Sequence, residues 1–147
     1  MNIREARLED FAELYQIGLK TPELKVTEED VFMDKEDLER RISDKNHVFL
    51  VAEDEQKLVG FICANAKDKD SPLIDRYACL VYLVVSPEYR NKHVATMLYE
   101  KCVTQLKEKG ITDAYGLVNS ESKPIQKFME KHGFRTGKKL IWMDKKL

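Results

Sequence analysis

Residues 85–96 read Val-Ser-Pro-Glu-Tyr-Arg-Asn-Lys-His-Val-Ala-Thr. They follow nine apolar and aromatic residues, 77–85, and lead directly into a stretch, 94–109, in which Val94, Leu98, Cys102 and Leu106 recur at every fourth position with Met97 beside them. The first pattern is that of a strand buried on both faces and the second that of an amphipathic helix. The passage between them can do a definite chemistry. The first N–H groups of a helix have no acceptor within it and lie at the positive end of its dipole. Together they can hold an anion, most naturally a phosphate or pyrophosphate. Arg90 and Lys92 add positive charge at the same place, as His93 does when it carries a second proton. The competing explanation is ordinary: any strand–loop–helix unit looks like this, and basic loop residues are usually just solvated.

Other chemistries find no support. There is no GxxxxGK[ST] and no GxGxxG, so phosphate loops of the NTPase or dinucleotide kind are not expected. Neither HExxH nor GxSxG occurs. His47, His93 and His132 are far apart, and Cys63, Cys79 and Cys102 form no CxxC pair. No metal site is expected from such spacings. Each cysteine falls in an apolar segment and reads as a small buried hydrophobe. Twenty-five basic against 26 acidic residues give a net charge of −1, so no global field draws in nucleic acid or an anionic membrane. The longest apolar run, 77–85, is far below the ~20 residues that cross a bilayer. The opening MNIREARLEDF has no apolar stretch like a secretion signal. A reduced, cytoplasmic, soluble protein is the expectation.

The 147 residues carry no repeat, no low-complexity tract and no Gly-, Pro- or Ser-rich linker, so residues 1–147 are expected to form one domain. Residues 2–7 suit a short strand with Ile3 inward. Phe11, Leu14, Tyr15 and Leu19 follow at helical spacing, with Asp10 as their N-cap and Thr21-Pro22 as their stop. Residues 34–44 suit a charged helix with Leu38 and Ile42 as its buried stripe. Strands are expected at 48–53 and 57–66, joined by Asp54-Glu55-Gln56, and again at 77–85 after the polar stretch 67–75. Gly110 suits the end of the long helix. A strand at 114–118, a helix opened by Pro124 and closed by Gly133, and a last strand at 140–143 complete the order β-α-α-β-β-β-α-β-α-β. That is a mixed α/β fold with helices covering the faces of its sheet.

Two segments resemble signatures of the GNAT N-acetyltransferase superfamily. The family pattern V-x-P-x-Y-R followed by (Q/R)-x-x-G-x-(G/A) is similar to Val85-Ser86-Pro87-Glu88-Tyr89-Arg90 and Arg90-Asn91-Lys92-His93-Val94-Ala95. The later pattern N-x-x-A-x-x-(L/F)-Y-E-K-x-G-F is similar to the thirteen residues from Ser122 to Phe134. The resemblance implies a single-domain acyl-CoA N-acyltransferase fold with a mostly antiparallel mixed sheet. It implies an enzyme that transfers acetyl from acetyl-CoA, its co-substrate, to an amine by direct attack. It also implies that strand 77–85 splays from the next strand, so that the backbone of Leu83, Val84 and Val85 holds the pantetheine arm. N–H groups on one strand edge recur every second residue, which puts Leu83 and Val85 together, and Leu83 would be the oxyanion donor. The amides of Asn91, Lys92, His93, Val94, Ala95 and Thr96, with Arg90, would hold the pyrophosphate, and Asn119 or Ser122 would touch the cofactor arm.

The chain departs from the family pattern in three places. His93 replaces a glycine that permits positive φ, and histidine is one of the few other residues enriched there. Met129 stands where many members carry a proton-donating tyrosine. A thioether donates no proton, so core packing is its expected role. Ser122 falls where asparagine is common, and both it and Asn119 also read as turn and cap residues. The general base is open among Asp75, Tyr77 and Cys79, by a water relay or, for Cys79, as an acyl carrier; buried packing of that thiol is the plainer alternative. The acidic stretch Glu28, Glu29, Asp30, Asp34, Glu36, Asp37 and Glu39 reads as a solvated helix start or as a funnel for a cationic amine, with Phe32 and Met33 as its apolar floor. The missing tyrosine leaves a second hypothesis, a non-catalytic acyl-CoA-binding regulatory module. A self-pairing edge strand near residue 140 would give a homodimer.

Overall fold

The computed structural model describes residues 1–25, 27–29, 32–66 and 76–147. Its elements are β1 (Asn2–Glu5), α1 (Phe11–Leu19), α2 (Lys35–Ser43), β2 (His47–Asp54), β3 (Lys57–Ala66), β4 (Tyr77–Val85), α3 (Val94–Glu108), β5 (Asp113–Gly116) and α4 (Lys123–Lys131). The five strands form one sheet in the order β1-β2-β3-β4-β5. Neighbours from β1 to β4 are antiparallel, and β5 lies parallel to β4. The mixed, mostly antiparallel α/β architecture is the one expected, up to the last strand.

The sheet buries both faces. On one, Leu98, Cys102 and Leu106 of α3 and Met129 of α4 pack on Val48, Leu50, Ile62 and Leu80. On the other, Leu14 and Ile17 of α1 and Leu38 of α2 pack on Val51, Phe61 and Cys63. The period-four apolar stripe of α3 is thus a core face, and truncating the fully buried Leu98 to alanine would cost about 2–5 kcal/mol. Gly110 ends α3 at φ +81°, where Ile111 N–H bonds Leu106 O at 3.1 Å and Gly110 N–H bonds Lys107 O at 2.9 Å. This paired closure satisfies carbonyls left over at a helix end. Asp34 caps α2 by accepting Asp37 N–H at 2.7 Å.

Several expectations need correction. Asp10 does not cap α1. Its carboxylate instead accepts Arg7 N–H at 2.7 Å and both terminal nitrogens of Arg4 at 2.8 and 2.9 Å. The Arg4 fork offered a stronger, charge-assisted partner than the helix amides did. The β2–β3 turn is a two-residue loop, with Glu55 and Gln56 at φ +47° and +65°. This is the twist a tight hairpin needs, although neither residue is the usual Asn or Gly. Strand β4 is not buried on both faces: Tyr77, Cys79, Val81, Tyr82, Leu83 and Val85 are only partly buried. The strand expected at 114–118 stops at Gly116, leaving Leu117 and Val118 76% and 41% exposed. No strand follows α4 among the described residues. Residues 140–143 have strand composition, but a strand exists only where its N–H and C=O groups meet a ladder, and here they lie off the sheet.

Candidate active site

Strand β4 keeps β3 as its partner along its whole length but leaves β5 halfway. Its pairing with β3 runs from Ala66↔Ala78 to Gly60↔Val85, whereas its pairing with β5 ends at Leu80↔Gly116. The register slips between Cys63 and Ala64, which face Tyr82 and Leu80, so Val81 is an extra, bulged residue. A bulge bends its strand and sharpens the twist, and β4 parts from β5 at this point. It also flips the side-chain phase. Before it, Ala78 and Leu80 point toward α3; after it, Leu83 and Val85 do, and Tyr82 and Val84 point toward α1 and α2.

The ladder fixes where the peptide groups of β4 point. Ser86 N–H donates to Val59 O at 2.9 Å. Antiparallel pairs alternate between bonded and non-bonded, so Tyr82 and Val84 also turn their peptides to β3. Leu83 and Val85 turn theirs outward, into the gap beside β5. The Val85 carbonyl there accepts Arg90 Nε at 3.3 Å. Val84 offers that gap nothing: its peptide faces Phe61 and its side chain is 2% exposed on the opposite side.

Beyond β4, a 3-10 turn at Pro87–Tyr89 leads to Arg90, Asn91, Lys92 and His93, all exposed. Asn91 and His93 have φ +62° and +63°. The backbone that glycine usually provides is therefore kept by histidine, and a second left-handed residue stands two positions earlier. Such curled backbone aims successive N–H groups into one concavity. His93 precedes α3 without a side-chain cap, and the first helical bond is Met97 N–H to His93 O at 3.0 Å. The amides of Val94, Ala95 and Thr96 therefore have no acceptor within the helix. Val94, 1% exposed, anchors this end in the core. The Lys92 ammonium lies 4.8 Å from the centre of the Tyr89 ring, a cation–π placement.

Asn119 and Ser122 start the approach to α4. Asn119 Oδ1 accepts Glu121 N–H, and its carbonyl accepts Gln126 Nε2, both at 2.9 Å. Asn119 is a turn residue, while Ser122 precedes α4 with no side-chain cap. Met129, 8% exposed, belongs to the core, with its methyl against Gly116. That is the packing role expected of it.

Of the three base candidates, Asp75 lies outside the described residues. Tyr77 and Cys79 sit on the α1/α2 face of β4, partly buried, opposite Asp113 and Tyr115 of β5. Arg76 lies 5.3 Å over the Tyr77 ring. Cys79 lies four positions before Leu83, roughly 13 Å of strand, so a proton moving from near Leu83 to either side chain would travel through water. Cys63 and Cys102 are buried, and burial pushes both thiols up to about 12.

On the same face is a group that sequence patterning missed. The Tyr82 hydroxyl donates to Phe32 O at 2.5 Å, and the Arg41 guanidinium lies 5.4 Å over the Tyr82 ring. Phe32 stacks on Tyr15 at 5.5 Å and meets Tyr82 edge-on at 6.1 Å. Gly18 makes room for it: a Cβ there would lie 2.0 Å from the Phe32 ring. Phe32 and Met33 are 8% and 2% exposed, core residues rather than an open floor. Asp37 is bonded by Arg40 and by Arg41 Nε, the latter at 3.0 Å. Burial opposes the Asp37 charge, but those bonds outweigh it and hold the carboxyl below its ordinary range. Glu28, Glu29, Glu36 and Glu39 are exposed, while Asp30 lies outside the described residues. The one available signal for Tyr82 was its place in an apolar run, and that run hides the phase flip at Val81.

A family model described as acetyltransferase (GNAT) family matches residues 8–134. No curated protein sequence matches. Among solved structures, an aminoglycoside 6′-N-acetyltransferase from Acinetobacter haemolyticus is 17% identical with a TM-score of 0.79, over 100% of this chain and 99% of its own. The PaiA N-acetyltransferase from Thermoplasma acidophilum, in complex with coenzyme A, is 25% identical with a TM-score of 0.75, over 92% of this chain and 90% of its own. An aminoglycoside acetyltransferase from an uncultured soil metagenomic sample, in complex with sisomicin, is 16% identical with a TM-score of 0.77, over 99% and 95%.

Proposed function

The chain belongs to the acetyltransferase (GNAT) family and is an acetyl-CoA-dependent N-acetyltransferase, and from that premise we propose that a cationic amine is acetylated by direct attack in the gap between β4 and β5. The observation that supports this reading is the outward turn of the Leu83 and Val85 peptides where β4 leaves β5, with a positive-φ loop and unbonded helix amides just beyond. Acetyl-CoA supplies an acyl carbon activated by a thiol of pKa near ~8.5, so the C–S bond breaks as the C–N bond forms and the amine gives up a proton.

The residues fit that ligand. Amides at 91–96 would hold its pyrophosphate, and Arg90 and Lys92 would add charge. Val85 and Leu83 would align the pantetheine arm along the open rim. Leu83 N–H would donate to the thioester oxygen as negative charge develops there, a contribution typically worth ~10²–10³-fold. With Met129 in the core, the thiolate would leave without a tyrosine's proton, which slows the reaction more than it abolishes it. Tyr77 or Cys79, reached through water, would relay the amine's proton, accepting it on oxygen or sulfur as its own proton passes to bulk water. Exposed Glu28, Glu29, Glu36 and Glu39 favour a cationic acceptor, and the neighbour bound to sisomicin is consistent with that class. Small amines, polyamines and protein amino groups all qualify.

The test is release of free CoA thiol from acetyl-CoA across a panel of polyamines, aminoglycosides, basic peptides and neutral amines. Turnover with cationic acceptors, weakened by salt, is expected. Thiol release confined to neutral or acidic amines would overturn the acceptor assignment, and tight acetyl-CoA binding with no turnover on any amine would leave a binding module in its place.

A further inference from the structure

Tyr82 stands between the bulge at Val81 and the outward-facing peptide of Leu83. A peptide unit is planar and trans, so the Tyr82 carbonyl and the Leu83 N–H point opposite ways. The first turns to β3 and the second into the gap beside β5. The aim of that N–H therefore follows the backbone angles of Tyr82. The ladder fixes those angles least well here, because the extra residue Val81 interrupts the pairing immediately before Tyr82.

Side-chain contacts hold what the ladder leaves loose. The Tyr82 hydroxyl donates to Phe32 O at 2.5 Å. The Arg41 guanidinium lies 5.4 Å from the ring centre, and Phe61 and Phe32 meet the ring edge-on at 6.0 and 6.1 Å. Each partner is itself fixed. Phe32 fills the space left by Gly18 and stacks on Tyr15. Phe61 is fully buried. The Arg41 side chain is 13% exposed and is tied through Nε to Asp37. Burial pushes the phenol above its ordinary range, so the hydroxyl keeps its proton and its bond to Phe32. That bond commits the proton to a backbone carbonyl, so Tyr82 does not replace the proton donor absent at Met129.

We infer that Tyr82 is a positioning residue whose anchored side chain aims the Leu83 N–H at the oxyanion. The inference rests on the acetyl-transfer reading, in which Leu83 is that donor. A donor aimed in advance need not reorganise as charge develops, and a misplacement of about 1 Å is enough to cost ~10²-fold in rate. Tyr82→Phe keeps the ring contacts and removes the hydroxyl bond alone.

The test is a double-mutant cycle of Tyr82→Phe and Leu83→Pro on the full chain, using thiol release with a cationic amine that turns over. Circular dichroism and calorimetric acetyl-CoA affinity accompany each variant. Tyr82→Phe should lower kcat by about 10- to 10²-fold with acetyl-CoA affinity unchanged, and should move the Leu83 amide resonance before any ligand is added. It should cost nothing further once residue 83 is proline, because residues that act through one interaction are not additive. Arg41→Met, which removes the charge over the ring, should act in the same direction and be equally silent beside Leu83→Pro; it carries the test if Tyr82→Phe alters the circular dichroism. A kcat unmoved by Tyr82→Phe while Leu83→Pro lowers it, or two losses that simply add, would overturn the inference and leave the role of Leu83 standing. A raised KM for the amine at unchanged kcat would also overturn it, since the hydroxyl would then serve the acceptor. A kcat unchanged by Leu83→Pro would remove the donor reading and the inference together.

Discussion

A proline at position 83 would remove one hydrogen-bond donor and leave the β3–β4 ladder intact, because Leu83 turns its N–H away from β3. Proline is tolerated in strands at such outward positions. Leu83→Pro should therefore keep the fold by circular dichroism while lowering kcat by roughly 10²–10³-fold, the usual effect of losing an oxyanion donor. An unchanged kcat in the thiol-release assay would place the thioester elsewhere. His93 was legible at the same scale. Its place in the motif called for positive φ, and it adopts +63°. A non-glycine residue there carries a strain of about 1 kcal/mol, so His93→Gly should raise Tm by about 3 °C. His93→Val should lower it by at least as much, because a β-branched side chain resists that region. Asn91, at +62°, gave no such warning, because nothing in the motif marked it.

At the scale of elements, the bulge at Val81 carries the most consequence and was the least legible. An apolar run of nine residues has no alternation from which to read a phase, so the flip that turns Tyr82 toward Phe32 and Arg41 could not be seen in the sequence. The hairpin and the long helix were visible because their patterns alternate or repeat. The cap of α1 failed for a different reason: Asp10 is a good cap residue, but Arg4, brought near by β1, outbid the helix amides for it. That cluster sets a pH response. Burial raises the Asp10 carboxyl, but the Arg4 fork and Arg7 N–H outweigh it and hold it below its ordinary range. A carboxyl that is more acidic folded than unfolded stabilises the fold above its unfolded value, near ~3.9. That contribution drains away as pH falls through the folded value. Asp10→Asn should therefore be less stable than the parent at pH 7, with a difference that shrinks below pH ~4. Urea unfolding at several pH values reads this, and a gap constant across the acid limb would mean that Asp10 contributes no charge-dependent stability.

At the scale of the whole molecule, the sheet and its helical cover followed from period, turn residues and family motifs, and only the last strand did not. Residues 140–143 are apolar and include the strand-favouring Ile141 and Trp142. What they lack is a partner, and pairing is a tertiary property that a single segment does not encode. The candidate site divides the same way. The loop at 90–96 is local in sequence and could be read directly. The aromatic cluster on the α1/α2 face of β4 joins Tyr15, Phe32 and Tyr82 by contacts between residues as far as 50 positions apart. The base candidate Asp75 lies outside the described residues.

The central claim is that outward-facing peptides of β4 and the amides opening α3 grip one ligand. Titrating the isotopically labelled 17.2 kDa chain with acetyl-CoA while recording its amide proton–nitrogen spectrum tests this residue by residue. The largest shifts should fall on Leu83, Val85 and residues 91–96, with Tyr82 and Val84, whose N–H groups are held by β3, moving less. Saturable binding that left Leu83, Val85 and 91–96 unmoved while amides elsewhere responded would contradict the account.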